Sequence, residues 1–297
     1  MSSRSSLTAA LALGGVALAW GAIPLFVRND VPSTGLVGVR VTFGALALIG
    51  VAAALRRLEF PKTKRGRLVL SGVLLALHWV TFFESLKHSP VAVALAILYI
   101  GPIAAAILAG PLLGEHVSPR LWLALGVAAF GTLLVIQPWN QAQEGDVSTR
   151  GIVMAFISAA LLTALLLVGK PVAKELGGLT MAIGELTVAS IVLIPATYGA
   201  LSNHADELVG FIILGAILTG FAGFIYWEAM RRLPMATVSV IMYLEPASAV
   251  VWAALFLDEI PNATAWIGVA FVLAGGAMAT SVSASVDEEA MVAPSAL

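Results

Sequence analysis

The stretch PVAVALAILYIGPIAAAILAGPLLGE (residues 90–115) is answered 144 residues later by PMATVSVIMYLEPASAVVWAALFLDE (residues 234–259). At this one gapless offset Pro90 falls on Pro234, Tyr99 on Tyr243, Pro102 on Pro246 and Glu115 on Glu259. Outside the stretch the same shift puts Glu84 on Glu228, Trp122 on Trp266 and Gly131 on Gly275. Proline and tryptophan are scarce, at 14 and 7 in the chain. Their agreement at one offset therefore marks an internal repeat, which must be recognised before any other feature is read. The first two helices of each half match poorly, so the copies have diverged there.

Composition says where such a chain lives. Of 297 residues, 60% are hydrophobic and 11% charged, with a mean hydropathy of +0.98 and a net charge of -1. A soluble domain carries about 25% charged residues. Burying so much apolar side chain in one water-soluble core conflicts with the surface a domain of this size must cover. The low charge excludes a solvated disordered chain. Near-neutrality removes the basic field that nucleic-acid binding needs. With no cysteine, disulfides, thiolate metal sites and thiol nucleophiles are excluded. The expectation is an all-α polytopic membrane protein.

A helix needs about 20 mostly apolar residues to cross the hydrocarbon. Ten such segments are expected, near 7–27, 34–55, 67–86, 91–112, 119–137, 150–170, 178–200, 208–229, 235–257 and 263–284. The first is too long for a signal peptide and leads into further apolar segments, so it reads as a span. Orientation follows the lysine and arginine distribution. With the N-terminus in the cytoplasm, that face holds Arg4, Arg56, Arg57, Lys62, Lys64, Arg65, Arg67, Arg120, Lys170, Lys174, Arg231 and Arg232. The other face holds Arg28, Lys87 and Arg150, and Arg40 lies inside a span. Both termini are then cytoplasmic. The repeats are expected at 1–140 and 141–286, with a cytoplasmic tail at 287–297. Five spans per copy is an odd number, so the second copy enters the membrane upside down, the inverted-repeat layout of secondary transporters.

The pairs Tyr99-Ile-Gly-Pro102 with Leu113-Gly-Glu115, and Tyr243-Leu-Glu-Pro246 with Leu257-Asp-Glu259, resemble the paired EamA signatures of the drug/metabolite transporter superfamily. Gly101 stands where a glutamate could open the first signature, and Asp258 replaces the closing glycine of the second. Trp20 in span 1 and His78-Trp79 in span 3 make the chain most similar to the bacterial YddG-type amino-acid exporters. The resemblance implies export of amino acids, including aromatic and hydrophobic ones, across a bacterial inner membrane. The residues alone imply only a small, partly apolar solute, held near the midplane between the halves and moved by alternating access. No cofactor, metal, nucleic acid or obligatory protein partner is expected; the partners are the solute and the bilayer.

Polar residues deep in spans are the strongest pointers to function, because lipid penalises them unless they face a cavity or a partner. Arg40, His78, Glu185 and Glu245 qualify. Arg40 and Glu185 occupy near-equivalent places in the two halves, so they either line opposite sides of one pathway or anchor helix packing. Leu75, His78, Trp79 and Phe82 share one face of span 3, answered in span 8 by Gly223, Tyr226, Trp227 and Met230. Such a stripe faces lipid, core or a cavity; a mid-helix histidine points to the cavity. Trp20, His78, Trp79, Tyr99, Tyr243 and Trp252 are the expected lining, and Arg40 is the expected partner of a substrate carboxylate. Pro24, Pro102 and Pro246 are expected helix breaks, and each break can free a carbonyl for substrate or gate. Glu245 has two readings, a proton-coupling group or a brace for a neighbouring helix. Gly101 at the related position favours the brace, since the architecture does not demand a carboxylate in both halves.

The competing class is an intramembrane enzyme acting on a lipid or prenyl chain, or else an exporter of another hydrophobic metabolite or drug. No G-x-S-x-G, H-E-x-x-H, Walker A or paired-aspartate motif occurs. Glu84 and His88 are spaced to share a metal but lack a third ligand, and read better as a solvated helix end.

Overall fold

The computed structural model describes residues 3–26, 31–140, 148–256 and 261–292, and no strand occurs among them. The first half comprises α1 (Ser3–Trp20), α2 (Ser33–Ala54), α3 (Arg65–His88), α4 (Val91–Leu98), α5 (Ile100–Leu113) and α6 (Pro119–Ile136). The second comprises α7 (Thr149–Leu176), α8 (Gly178–Val192), α9 (Ile194–Asn203), α10 (Leu208–Ile212), a π-helical segment (Ile213–Phe221), α11 (Ala222–Met230), α12 (Met235–Met242), α13 (Leu244–Phe256) and α14 (Ala263–Val292). The offset of 144 reappears in the backbone, because α4, α5 and α6 begin 144 residues before α12, α13 and α14.

Eight helical stretches are long and apolar enough to cross a membrane, or nine if the bent pair α8–α9 counts as one span. Every one of the ten expected segments contains helix, but length and apolarity alone do not reach ten. Two departures have a physical cause in proline. The first expected span, 7–27, stops being α-helical at Trp20 and continues as a short 3-10 turn, Ile23–Phe26. Pro24 has no N–H for the carbonyl of Trp20, four residues earlier, so the helix cannot run on. The expected span 178–200 bends by 75° at Leu193, two residues before Pro195.

The same rule breaks α4 from α5 and α12 from α13. Pro102 and Pro246 lack the N–H that would reach Leu98 and Met242, and each helix resets at the next residue, Tyr99 or Tyr243. Gly101 could not be a glutamate in this packing. A Cβ there would lie 2.9 Å from the Ala159 carbonyl oxygen of α7. The departure of the first half from its expected signature is thus imposed by a close helix crossing. Gly114 is a left-handed C-cap of α5 (φ +69) rather than a close-packing glycine. Close packing is found instead where α6 crosses α14: a Cβ on Gly131 or Gly268 would come within 2.8 Å of the other helix's backbone.

The two halves pack by exchange. α3 lies along α7, as α11 lies along α1; α5 lies on α7, as α13 lies on α1; α2 packs on the π segment, as α8 packs on α3. Polar contacts pin the two ends of the bundle. At one end Glu84 takes Arg150 at 2.7 Å and the Ser33 hydroxyl at 3.3 Å, and Lys87 donates to the Val31 carbonyl. At the other, Lys64 pairs with Glu175, and Glu228 takes Arg231, Arg232 and the Gly178 N–H. Glu84 and Glu228, equivalent in the repeat, therefore do the same work at opposite ends: each ties the last turn of one helix to the start of its neighbour. The pairing also settles the Glu84–His88 spacing as an ion-paired helix end.

Candidate functional site

A cavity of about 760 Å³ lies between the halves, lined by residues of α1 to α8, the π segment and α11 to α13. It extends toward the end that carries Lys87, Val91 and Ile136. At the opposite end, beyond the cavity lining, lies a buried ion pair. Lys170 of α7 is fully buried, meets Glu115 Oε1 at 2.6 Å and donates to the Leu233 carbonyl at 2.7 Å. The other oxygen of Glu115 accepts the Met235 N–H that opens α12. A carboxylate at a helix N-terminus is favoured by the dipole and by free N–H groups.

Arg40 sits in the cavity wall with only 3% of its surface exposed. Its Nε donates to the Thr219 hydroxyl at 3.0 Å, and its guanidinium carbon lies 3.8 Å from the Trp79 ring centroid and 5.6 Å from that of Phe83. Stacking on an aromatic face and a single Nε hydrogen bond fix the fork while leaving its terminal nitrogens for another acceptor. No carboxylate oxygen lies within 4 Å of it among the described residues; Glu245 acts on it only at longer range.

The π segment performs the holding. The hydroxyl of Thr219, which receives Arg40, donates to the Leu214 carbonyl five residues back at 2.8 Å. The neighbouring Leu218 carbonyl accepts the Trp20 indole N–H at 2.7 Å. Gly44 of α2 meets Gly215 and Gly220 of the π segment closely: a Cβ on Gly215 or Gly220 would clash with α2, and one on Gly44 would sit tightly at 3.0 Å from the Gly215 carbonyl. That proximity brings Arg40 within reach of Thr219. π-helical turns often mark functional sites. This element escaped the sequence reading, since helix widening leaves no periodic signal; the mid-span Thr219 was the available hint.

His78 and Trp79 both line the cavity. The Ser158 hydroxyl donates to the His78 carbonyl at 3.1 Å, and His78 Nδ1 lies 2.9 Å from that hydroxyl and 3.1 Å from the Ser158 carbonyl. With the carbonyl as its acceptor, Nδ1 keeps the proton and Nε2 is left as an acceptor. Leu75 and Phe82 line the cavity with them, and Gly223, Tyr226 and Trp227 supply the facing stripe; Met230 is buried elsewhere. The structure thus brings both expected stripes to one space. Trp20 and Tyr99 are in the lining, with Trp20 against Tyr226 at 5.3 Å between ring centroids.

Two of the expected lining residues lie outside it. Trp252 is not in the lining; its indole N–H donates to the Leu18 carbonyl at 2.8 Å, tying α13 to α1. Tyr243 is buried behind the wall, its hydroxyl donating to the Tyr99 carbonyl at 3.0 Å and its ring 5.2 Å from that of Tyr99. Pro102 and Pro246 both line the cavity. Around the first break the Tyr99 carbonyl accepts from Tyr243, the Gly101 carbonyl from Thr163 at 3.1 Å and the Pro102 carbonyl from Ser239 at 2.9 Å, all donors from the opposite half. The Pro24 side chain lies outside the described part of the chain, as do Leu257, Asp258, Glu259 and Gln143.

Glu185 and Glu245 also face this space. Glu185 accepts the Trp227 indole N–H. Glu245 interacts electrostatically with the Tyr99 hydroxyl of the neighbouring broken helix. Glutamine at 245 keeps an acceptor for Tyr99, whereas leucine strands a buried hydroxyl at a cost of about 1–3 kcal/mol. Glu245→Gln is accordingly expected to resemble wild type in yield and thermal midpoint, and Glu245→Leu to lower both; thermal melting of the purified variants checks this. Equal melting of the two variants would remove the brace.

An all-helical, multi-pass chain with one aromatic-walled cavity is the framework of a membrane transporter. The sequence profile of the EamA-like transporter family matches residues 7–137 and again 149–281, and the chain belongs to that family. It is 29% identical over 251 residues to the Threonine/homoserine exporter RhtA of Escherichia coli (strain K12), covering 83% of this chain and 79% of that protein. It is 24% identical over 284 residues to the Uncharacterized transporter YxxF of Bacillus subtilis (strain 168), covering 94% and 91%. A solved crystal structure shares the fold with a TM-score of 0.75 at 18% identity, covering 93% of this chain and 98% of that one.

Proposed function

We propose that the chain is a secondary carrier that exports amino acids or closely related metabolites by alternating access. The observation that carries the reading is Arg40, an anion-seeking guanidinium pinned by Thr219 and Trp79 in the wall of an aromatic cavity that also presents His78, Glu185 and Glu245. The arginine takes the substrate carboxylate, His78 Nε2 offers an acceptor, and Trp20, Trp79 and Phe82 receive the side chain. The name of the RhtA relatives supports amino-acid export, and the width of the aromatic wall supports larger, apolar side chains as well. An intramembrane enzyme would need nucleophiles or acids gathered at one depth; the family and its named relatives speak for transport.

The ten-span, inverted-repeat architecture belongs to the same proposal, with repeats at 1–140 and 141–286 and a tail at 287–297. The exchange packing and the opposite ends occupied by Glu84 and Glu228 support it. With both termini in the cytoplasm, the conformation described opens outward and the Lys170–Glu115 pair closes the cytoplasmic end. Single cysteines at Arg65 and Gln143 are expected to label from opposite faces, cleanly, since the chain has no cysteine of its own. Labelling of both from one face would overturn the topology.

Function is tested in liposomes loaded with unlabelled L-threonine, L-homoserine or L-phenylalanine and offered the labelled compound outside. Saturable counterflow is expected for at least one of the three. Flux that does not saturate, or that shows no counterflow, would contradict a carrier.

A further inference from the structure

Glu185 has 4% of its surface exposed in the α8 wall, and its two oxygens are treated differently. Oε1 accepts the Trp227 indole N–H, whereas Oε2 is buried with no hydrogen-bond partner. A carboxylate ion is acceptor-only, with about four lone-pair sites, and one donor leaves it badly under-satisfied away from water. None of the charged and titratable groups on the surrounding elements hydrogen-bonds Oε2. Arg40 of α2 is held by Thr219 and Trp79, and His78 of α3 by Ser158. Lys170 of α7 is held by Glu115 and Leu233. Glu228 of α11 is held by Arg231, Arg232 and Gly178, while Tyr226 packs against Trp20 and Trp227. Across the cavity, Glu245 interacts with Tyr99 and lies in the field of Arg40. No cation reaches Oε2. The neutral acid fits this environment: its proton on Oε2 removes the buried charge, and Oε1 remains an acceptor for Trp227.

We propose that Glu185 carries a proton in this conformation and couples proton movement to solute movement. The location of the proton rests on the geometry above; the coupling rests on the carrier reading. Release follows when the carrier's other conformation exposes Oε2 to water; the proton passes to that water, and the carboxylate left behind then needs a donor. A primary ammonium group on the solute is the donor the cavity brings. Proton and ammonium compete for one carboxylate, so one departs as the other binds, and the coupling is antiport. Glu245 has the Tyr99 hydroxyl and a nearby cation, and serves as a brace.

Infrared difference spectra of the reconstituted full-length protein, without solute, test the proton directly. A protonated-carboxyl band is expected at neutral pH in wild type and in Glu245→Gln, absent in Glu185→Gln, and present again, shifted, in Glu185→Asp. A band that survives in Glu185→Gln, or none in wild type, would overturn the assignment. Coupling is read with a lumenal pH indicator during labelled L-threonine efflux. Wild type is expected to move protons opposite to solute, and Glu185→Gln to lower the protons moved per solute to less than a tenth. An unchanged ratio would overturn the coupling. Absence of wild-type L-threonine flux would overturn the carrier reading for that solute, while the infrared result still decides where the proton sits.

Discussion

Replacing Arg40 with alanine is expected to lower initial transport rates at sub-saturating solute by about a hundredfold, since truncating one partner of a desolvated charge pair costs about 3 kcal/mol and each 1.4 kcal/mol is tenfold. The guanidinium is buried, fixed at Nε by Thr219 and stacked on Trp79, so the binding geometry is assembled before the solute arrives. Preorganisation makes the loss large, because no ordering cost offsets it. Lysine at 40 keeps a positive charge but cannot reproduce the planar fork or the stacking, and an intermediate rate is expected. Thr219→Val should weaken transport in the same direction but less, by loosening the fork without removing it. Rates per folded protein in liposomes check the series. Wild-type rates in Arg40→Ala would show that the solute carboxylate is bound elsewhere.

The second large effect is expected at the closed end. Removing the amine of Lys170 leaves Glu115 short of its nearest cation, and breaking a buried pair in this way typically costs about 3–5 kcal/mol. Lys174, at 3.6 Å and half-exposed, is too solvated to replace it. Lys170→Ala is therefore expected to lower the thermal midpoint and to raise, more than tenfold, the labelling of a cysteine at Ser239 from that end. Glu115→Gln should act in the same direction, and the double variant should add little, as expected for two halves of one contact. Additive losses would mean that the two residues act independently.

Much of the architecture was legible because it rests on periodic or rare signals. The offset of 144, read from Tyr99, Pro102 and their counterparts, recurs in the starts of α4, α5 and α6 against α12, α13 and α14. The His78-Trp79 stripe was legible as a face, though only packing decided that it meets a cavity. Other features depend on contacts that no local pattern carries. Gly101 is explained by an α7 carbonyl 58 residues away in the chain. Trp252 was expected in the lining, yet its indole ties α13 to α1. Thr219 holds Arg40 only because three glycines let α2 and the π segment touch. The early stop of α1 at Trp20 follows from Pro24, four residues on, and was within reach of the sequence.

Alternating access requires one cavity that opens by turns to either face of the membrane. A single cysteine at Leu98, a lining residue of α4 with 8% of its surface exposed, reports this most directly. A membrane-impermeant thiol reagent should label it from outside in right-side-out vesicles and from the cytoplasmic face in inverted vesicles. A transported amino acid should protect it in both. Labelling from one face alone, unaffected by any solute that gives counterflow, would contradict alternating access through this cavity.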